Sequence, residues 1–396
     1  MAAMAMPPAI FPSEEFLAEV TALRGGERVV TCYACGTCSG SCPTVMAMDY
    51  GRGQILHMIQ LGLEEEVLRS RGIWLCTACY LCTSRCPREV KITETMIGLR
   101  GLALARGQPV PENLILLRDT VAAQHNISGD DNATRLIWSH NVDEVSAAVG
   151  QRRQAETLFF VGCVSSFYPM AFGIPQALVQ IMAAAGVEFT VLGGDEWCCG
   201  YPLLSAGMED EAVALVKHNV AQARALGAKR LVATCPSCYH TWKHLYPLFN
   251  SGLMDVEILH ASEFLARLIE EGGLKLRGLE ETVTYHDPCD LGRKSGVYDA
   301  PRTVIESIPG LAFFEMDAHG PDALCCGGGG DVQISDETVT AAVAARRVRQ
   351  AQKTGARTLL SACQQCKRVL AVAARQEKVR LRVQDVTELV WRAMQA

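Results

Sequence analysis

Residues 230–238 of the chain read Arg-Leu-Val-Ala-Thr-Cys-Pro-Ser-Cys, and residues 357–366 read Arg-Thr-Leu-Leu-Ser-Ala-Cys-Gln-Gln-Cys. In each segment a short apolar run rich in β-forming residues leads into a Cys-x-x-Cys pair, and a helix-like segment follows. Similar runs at 157–161 and 281–285 lead to single cysteines. This alternation predicts βα units with cysteines at the carboxyl ends of strands, where open α/β sheets bind their ligands.

Both segments belong to an internal repeat. The first unit carries a single cysteine, a Cys-Cys-Gly triplet and a Cys-x-x-Cys pair, at Cys163, Cys198, Cys199, Gly200, Cys235 and Cys238. The second unit repeats the pattern at Cys289, Cys325, Cys326, Gly327, Cys363 and Cys366. The offset drifts only from 126 to 128 residues. Solenoid repeats have periods of roughly 20–50 residues, so this repeat indicates a duplicated domain.

A separate cysteine-rich block precedes the repeat. It contains the run Cys-x-x-Cys-x-x-Cys-x-x-x-Cys-Pro twice, at Cys32, Cys35, Cys38 and Cys42 and again at Cys76, Cys79, Cys82 and Cys86. This is the run of bacterial two-cluster ferredoxins, in which the fourth cysteine reaches the other cluster. We therefore expect one cubane [4Fe–4S] cluster on Cys32, Cys35, Cys38 and Cys86, and a second on Cys76, Cys79, Cys82 and Cys42. Paired zinc sites are the alternative, but zinc gives no reason for the doubled run.

Composition narrows the class of protein. The chain has 396 residues, of which 49% are hydrophobic and 20% charged, so two or three packed domains are expected. A formal net charge of −6 argues against a nucleic-acid partner. Residues 1–12 lack the pattern of a secretory signal, and the sequence has no run long and apolar enough for a membrane helix. We expect a cytoplasmic protein that meets a membrane only through partners, and in that compartment its eighteen cysteines indicate metal binding rather than disulfides.

Each repeat offers five cysteines, which is one more than a cubane cluster or a zinc ion takes. Adjacent cysteines such as Cys198 and Cys199 suit neighbouring irons of an opened cluster better than two corners of a cubane. Glycines beside the ligands let the backbone pass close to a cluster, because they have no Cβ. We expect this cofactor-binding role of Gly200, Gly327 and Gly328.

The order of a single cysteine, Cys-Cys-Gly and Cys-x-x-Cys resembles the Cys-rich domain of heterodisulfide reductases. The ferredoxin-like block, with Asp49-Tyr50 and the stretches 58–65 and 73–80, is similar to the small ferredoxin subunit of those enzymes. The resemblance covers residues from about 28 to 396 and implies a fusion of that subunit with the Cys-rich catalytic subunit. It also implies two noncubane [4Fe–4S] clusters, each on the five cysteines of one repeat, with a disulfide substrate between them.

These observations predict a mixed α+β and α/β chain. We expect a helical extension at 1–27, a two-cluster ferredoxin-like domain at 28–106 and a helical connector at 107–155. Two Cys-rich α/β domains, called CCG domains after their Cys-Cys-Gly triplet, follow at 156–277 and 278–396. Within the first part, helices are predicted over about 14–27, with Ser13 as the N-cap, and over 54–61.

The predicted function is that of an iron–sulfur subunit of a heterodisulfide-reductase-like oxidoreductase, in which a disulfide or related acceptor is reduced at the Cys-rich units. The alternative is an electron relay without its own substrate, serving a partner dehydrogenase or reductase of glycolate-oxidase, quinone-linked or acyl-CoA-linked type. The chain shows no nucleotide-binding motif, so a flavin-bearing partner subunit is expected. His286, beside Cys289, is a candidate proton donor or an orienting residue. Arg293 and Lys294 are expected on a solvated face, with neutralisation of a cluster or an anionic substrate as the alternative.

Overall fold

Two parallel four-stranded sheets organise the chain beyond residue 156. The computed structural model describes residues 12–142, 149, 154–249 and 255–396. The first sheet has the order β2-β1-β3-β4, with β1 at Thr157–Phe160, β2 at Phe189–Thr190, β3 at Arg230–Ala233 and β4 at Glu257–His260. The second has the order β6-β5-β7-β8, with β5 at Glu281–His286, β6 at Leu311–Phe313, β7 at Thr358–Ser361 and β8 at Arg382–Asp385. The identical order confirms a duplicated α/β unit.

The central strands are the four apolar runs seen in the sequence, each within one residue at either end. In β1, Leu158, Phe159 and Phe160 are fully buried. A parallel sheet is covered on both faces by its crossover helices, so its strands are apolar throughout rather than alternating. In register, Thr157 lies opposite Arg230 in the first sheet and Val283 lies opposite Thr358 in the second.

Helices cover both sheets. Around the first sheet they span Cys163–Phe167, Gly173–Ala184, Tyr201–Ser205, Glu209–Ala225, Pro236–His240, Tyr246–Phe249 and Ala261–Glu270, with one π-helical turn at Thr241–Leu245. Around the second they span Asp299–Glu306, Val332–Ser335, Glu337–Lys353, Gln364–Gln376 and Val386–Gln395. One continuous hydrophobic core contains side chains of both sheets, so the two units pack as a pair.

Between residues 12 and 124 the regular structure is helical. Its α-helices span Glu14–Ala22, Thr37–Ser41, Arg52–Gln60, Glu64–Leu68, Arg71–Trp74, Leu81–Ser84, Ile92–Ala105 and Glu112–Gln124. Ser13 caps the first helix by accepting a hydrogen bond from Phe16 N at 3.0 Å, as predicted. That helix ends at Ala22 instead of about residue 27, because the chain turns at Gly25 with φ +88°. Among the described residues, no helix is long and apolar enough to cross a bilayer.

The segment between the helical part and the first sheet is more than a spacer. Arg135 is buried, and it donates from Nε to the Glu196 carbonyl oxygen at 2.7 Å and from Nη2 to Cys163 Sγ at 3.4 Å. The Glu196 carboxylate accepts from the backbone N–H groups of Val161 and Gly162 at 2.9 and 2.8 Å. The segment therefore holds the first cysteine of the repeat from outside its sheet.

A second buried arginine joins the three parts of the chain. Arg100 is fully buried in the helix Ile92–Ala105, and its guanidinium donates to five carbonyl oxygens, those of Ile73, Trp74, Cys76, Ser205 and Gly330, at 2.7 to 3.2 Å. The first three acceptors belong to the helical part, and the other two belong to the first and second α/β units. This one side chain therefore fixes how the ferredoxin-like part docks on the repeat.

We predict that Arg100→Met lowers the free energy of unfolding by about 3 kcal/mol or more, because several buried carbonyl oxygens lose their donor. Arg106→Met is the matched control. Arg106 directly follows the same helix but is 44% exposed in its pairs with Glu19 and Glu64, so its loss should leave the free energy of unfolding nearly unchanged. Anaerobic urea unfolding followed by circular dichroism measures both variants. An equal decrease in the free energy of unfolding for Arg100→Met and Arg106→Met would contradict the role of Arg100.

Candidate metal centres

The first candidate centre is a small cavity lined by Cys32, Cys35, Cys38 and Cys86, together with Arg88. Ala34 and Gly36 have left-handed backbones, with φ +56° and +77°, and this winding turns the three cysteines of the run toward one space. Cys35 is exposed, whereas Cys38 is buried in the helix Thr37–Ser41. The cavity therefore lies at the surface on its Cys35 side.

The second candidate centre is lined by Cys42, Cys76, Cys79 and Cys82. The winding of the first run recurs, since Ala78 and Tyr80 have φ +47° and +62°. Here all four cysteines are buried. Each of the two cavities thus combines three cysteines of one run with the fourth of the other, which is the grouping expected from the spacing.

Arg52 lies against the second centre. It is fully buried, lines the same cavity and donates to the Gly72 carbonyl oxygen at 2.7 Å. Burial disfavours its charge, yet the thiols of Cys76, Cys42 and Cys82 raise the pKa of Arg52 above its usual range. The guanidinium therefore stays charged and offsets thiolate charge at this site.

The five cysteines of the first repeat, Cys163, Cys198, Cys199, Cys235 and Cys238, line one cavity of about 360 Å³. Cys163 follows Gly162, where a Cβ would lie 3.1 Å from Cys238 Sγ, so glycine lets the first strand approach the Cys-x-x-Cys pair. Gly200 has φ +84° and turns the chain directly after the adjacent cysteines.

Asn219 holds the loop that carries the adjacent cysteines of the first repeat. It is fully buried, accepts from Trp197 N at 3.1 Å and donates to the Cys198 carbonyl oxygen at 3.0 Å. On the other side of the loop, Cys198 N donates to the His125 carbonyl oxygen at 2.7 Å. Sequence reasoning missed Asn219, and an amide at a buried position of the helix Glu209–Ala225 is the signal that was available.

The five cysteines of the second repeat also converge. Cys366 Sγ donates to Cys326 Sγ at 3.4 Å, and Gly327 N donates to Cys325 Sγ at 3.2 Å. Cys325 also contacts Cys289, while Cys363 Sγ accepts from Cys366 N at 3.3 Å.

His286 lies beside two of the five cysteines of the second repeat. A ring nitrogen of His286 lies within 4.8 Å of Cys326 Sγ and Cys366 Sγ, and its Nδ1 accepts from Arg347 Nε at 3.0 Å. Burial lowers the pKa of His286, so the ring is neutral at physiological pH. His286 is absent from the lining of the 360 Å³ cavity. The ring is therefore placed to orient thiols, and Arg347 fixes its tautomer.

Crowding sets the protonation of these thiols. The hydrogen bond that each thiol donates to a neighbouring sulfur, together with burial, raises the pKa of Cys163, Cys238, Cys325 and Cys366 well above the usual value. The five thiols of one set therefore cannot all ionise unaided. A polynuclear iron centre would supply the missing positive charge, and the donor sets of four and five sulfurs fit iron–sulfur clusters.

Much of the remaining lining of the cavity comes from the second repeat. It includes Gly328–Gly330, Asp331, Gln364, Gln365 and Arg368. Gln364 Nε2 reaches into the first repeat and donates to the Val161 carbonyl oxygen and the Thr234 hydroxyl at 3.0 and 2.6 Å. The cavity therefore exists only where the two repeats meet.

Tyr168, Arg368 and Gln365 form one side of this cavity. The Arg368 guanidinium stacks 4.0 Å from the centroid of the Tyr168 ring, and Arg368 Nη1 donates to Gln365 Oε1 at 3.0 Å. A cationic side chain held by an aromatic face and an amide therefore borders the space beside the five cysteines.

The glycine run after the second Cys-Cys-Gly triplet serves two purposes. Gly328, Gly329 and Gly330 line the 360 Å³ cavity, whereas Gly200 and Gly327, which we also expected to bind the cofactor, are outside its lining. At Gly330, a Cβ would also lie 2.1 Å from the Cys76 carbonyl oxygen. The absence of side chains thus lets the second repeat touch the ferredoxin-like part.

The expectation of a solvated face for Arg293 and Lys294 was wrong. Arg293 donates from Nε to the Cys79 carbonyl oxygen at 2.6 Å and from Nη1 to the Ala323 carbonyl oxygen at 2.7 Å. Lys294 has 3% side-chain exposure and forms an ion pair with Asp290 at 2.7 Å. Both side chains are covered by parts of the chain that are distant in sequence. The thiols of Cys79 and Cys325 contact each other beside Arg293, so the second four-cysteine centre adjoins the second repeat.

Family models match the parts of the chain that contain these centres. A 4Fe-4S dicluster domain matches residues 28–90, and a Cysteine-rich domain matches residues 157–243 and 283–371. A solved structure of a hypothetical protein from Helicobacter pylori covers 97% of this chain, and the chain covers 75% of it, with a TM-score of 0.53. At 10% identity, that likeness concerns the fold alone.

Curated relatives extend over nearly the whole chain. A subunit of the dihydromethanophenazine:CoB--CoM heterodisulfide reductase of Methanosarcina mazei is 32% identical, over 92% of this chain and 93% of that protein. EtfAB:quinone oxidoreductase of Syntrophomonas wolfei is 30% identical over 90% of this chain, but only 51% of the relative is covered. A subunit of the CoM/CoB fumarate reductase of Methanothermobacter marburgensis is 29% identical over 85% of this chain and 66% of the relative. The chain therefore belongs to the heterodisulfide reductase family of iron–sulfur oxidoreductase subunits.

Proposed function

We propose that this chain is the catalytic subunit of a complex that reduces a disulfide, or a related acceptor, in the 360 Å³ cavity between its two repeats. The observation that carries the proposal is the make-up of the cavity. It is lined by the five cysteines of the first repeat and, from the second repeat, by a glycine-rich backbone with Gln364, Gln365 and Arg368. A small molecule in this space touches both repeats at once.

The proposal assigns all eighteen cysteines as ligands. Two cubane clusters take the four-cysteine sets, on Cys32, Cys35, Cys38 and Cys86 and on Cys76, Cys79, Cys82 and Cys42. Two noncubane clusters take the five-cysteine sets, on Cys163, Cys198, Cys199, Cys235 and Cys238 and on Cys289, Cys325, Cys326, Cys363 and Cys366. When bound, these clusters supply electrons one at a time, whereas a disulfide takes two.

The order of the sites supports this role. Cys35 is exposed, so the first four-cysteine site is the one open to a partner. The second site is buried and contacts the second repeat through Cys79 and Cys325. The 360 Å³ cavity then joins the second repeat to the first. The chain thus arranges its four sites as one series from the surface to the cavity.

The partner is proposed to be a flavin-bearing protein that exchanges electrons at the Cys35 side. Val30 and Tyr33 flank Cys32 and are 53% and 59% exposed, which gives that side apolar contact surface. Two of the relatives are named as subunits of larger reductases, which supports a partner of this kind. Any membrane contact is proposed to be made by partners. The domain boundaries at 28, 107, 156 and 278 are part of the same proposal.

A relay without its own substrate is the second candidate. It is favoured by the similarity to EtfAB:quinone oxidoreductase, a protein of which the alignment covers 51%. In that case the four sites serve a partner that holds the substrate, and the cavity stays empty during turnover.

We predict that adding the right disulfide or thiol to the oxidised, cluster-loaded protein produces a new paramagnetic signal. The signal depends on the added compound, because the compound binds beside the five cysteines of the first repeat. Electron paramagnetic resonance across a panel of disulfides measures it. Silence across the panel would favour the relay.

A matched pair of variants tests the place of binding. Ile334 lines the cavity and is 39% exposed, whereas Ile137 lies elsewhere and is 46% exposed. Ile334→Trp narrows the cavity, and we expect the disulfide concentration at half-maximal signal to rise about tenfold, a loss of about 1.4 kcal/mol in binding. Ile137→Trp leaves the disulfide concentration at half-maximal signal unchanged. The same value in both variants would contradict binding in the cavity.

We predict that Cys325→Ala abolishes one noncubane cluster and leaves both cubane clusters, so the bound iron falls by about four atoms. Cys35→Ala is the control, because it removes the exposed cubane cluster and leaves the noncubane signals. Iron analysis with Mössbauer spectroscopy distinguishes the two losses. Unchanged cluster content in Cys325→Ala would overturn the ligand assignment.

A further inference from the structure

Asp331 stands at the end of the glycine run and lines the 360 Å³ cavity. Its backbone is left-handed, with φ +61°, a conformation that residues with a Cβ seldom adopt. Its carbonyl oxygen accepts from the N–H groups of Ile334 and Ser335 at 3.1 and 3.0 Å, which fixes the residue as the start of the helix Val332–Ser335. The strained turn therefore sets the direction of the carboxyl group.

The carboxyl group of Asp331 is buried, and one of its oxygens lacks a hydrogen-bond partner among the described residues. Asp331 is only 8% exposed, and its Oδ2 has no hydrogen-bond partner among the described residues. Buried carboxylates normally accept several hydrogen bonds, because an ionised oxygen without a partner is costly in the interior. An unpaired oxygen is better tolerated when the group carries a proton.

The charged and polar groups that face Asp331 come from three elements. Arg100, from the helix Ile92–Ala105, and Lys294 attract the ionised form, and the Ser205 hydroxyl also favours it. Asp290 repels it, and Tyr201 faces it across the same space. Burial outweighs the attraction and raises the pKa of Asp331 to about 7, so the group exchanges a proton near neutral pH.

We propose that Asp331 is the general acid that protonates a thiolate released in the cavity. This inference rests on the proposed disulfide chemistry. In that reaction the S–S bond breaks and both sulfur atoms are reduced by two electrons from the partner subunit. Each sulfur then takes one proton, so the products are two thiols. Asp331 supplies one of these protons, solvent supplies the other, and solvent protonates Asp331 again after turnover.

The test compares Asp331→Asn and Asp331→Glu with the control Glu306→Gln, all in the cluster-loaded protein. Glu306 is an exposed carboxylate of the second repeat that does not line the cavity, so its charge is solvated. The rate of thiol release is measured against pH. The wild-type rate falls as pH rises through about 7, because the donor loses its proton.

Asp331→Asn is expected to lower the rate of thiol release about 100-fold, since positioned general acids contribute roughly 10²- to 10⁴-fold. It should also remove the decrease in this rate as pH rises through about 7. Asp331→Glu should restore part of the rate and an inflection in the pH profile. Glu306→Gln should match the wild type. The disulfide-dependent paramagnetic signal should persist in Asp331→Asn, because binding does not need the proton.

A measurement on the wild type completes the test independently of turnover. Infrared difference spectroscopy across about one pH unit on either side of 7 should show a carboxyl C=O band that titrates and that Asp331→Asn lacks. No titrating carboxyl in the wild type overturns the proposal, even where the variant loses its clusters. Turnover with an unchanged pH profile in Asp331→Asn overturns the assignment of Asp331 alone. A wild type that neither binds nor reduces any disulfide overturns the proposed function as well.

Discussion

The crowding of thiols in the protein interior is the constraint on which the rest of the structure depends. Of the ten cysteines in the repeats, Cys289 is half-buried and the others are buried. Such thiols oppose one another's ionisation, so positive charge has to be brought to them. The chain contributes fixed guanidinium groups, with Arg52 beside the second four-cysteine site, Arg135 on Cys163 and Arg293 beside Cys79 and Cys325. A bound cluster would supply the remainder in each site.

These arginines also explain how the parts of the chain are held together. Arginine keeps its charge when buried and offers several donors in a fixed plane, so one side chain serves several acceptors. Arg100 uses this property to connect the ferredoxin-like part with both repeats, and Arg293 connects the second repeat with Cys79. The contact between the second four-cysteine site and the second repeat follows from this docking. The same side chains therefore stabilise the fold and hold the second four-cysteine site against the second repeat.

Local patterns predicted the central strands, because each strand depends on a short apolar run. The duplication and the grouping of the cysteines were predicted from repeated cysteine spacings, which are recognisable whatever distance separates the copies. The short or half-exposed strands β2 and β6 carry too little pattern to be recognised. Arg135, Arg100 and Gln364 were missed for another reason: their partners lie far away in the sequence. For Arg100, the sequence did offer one indication of burial, since this arginine lies within the otherwise apolar stretch 96–103. The burial of Arg293 and Lys294 likewise depends on surfaces that only the folded chain brings together.

The central claim is that all eighteen cysteines hold four iron–sulfur clusters, two on four thiolates and two on five. Iron and acid-labile sulfide analysis of anaerobically purified protein, with Mössbauer spectroscopy, tests it most directly. The account predicts about 16 iron atoms per chain, from four clusters of four, with matching sulfide. Zinc without acid-labile sulfide would contradict it, and so would about eight iron atoms confined to the two cubane clusters.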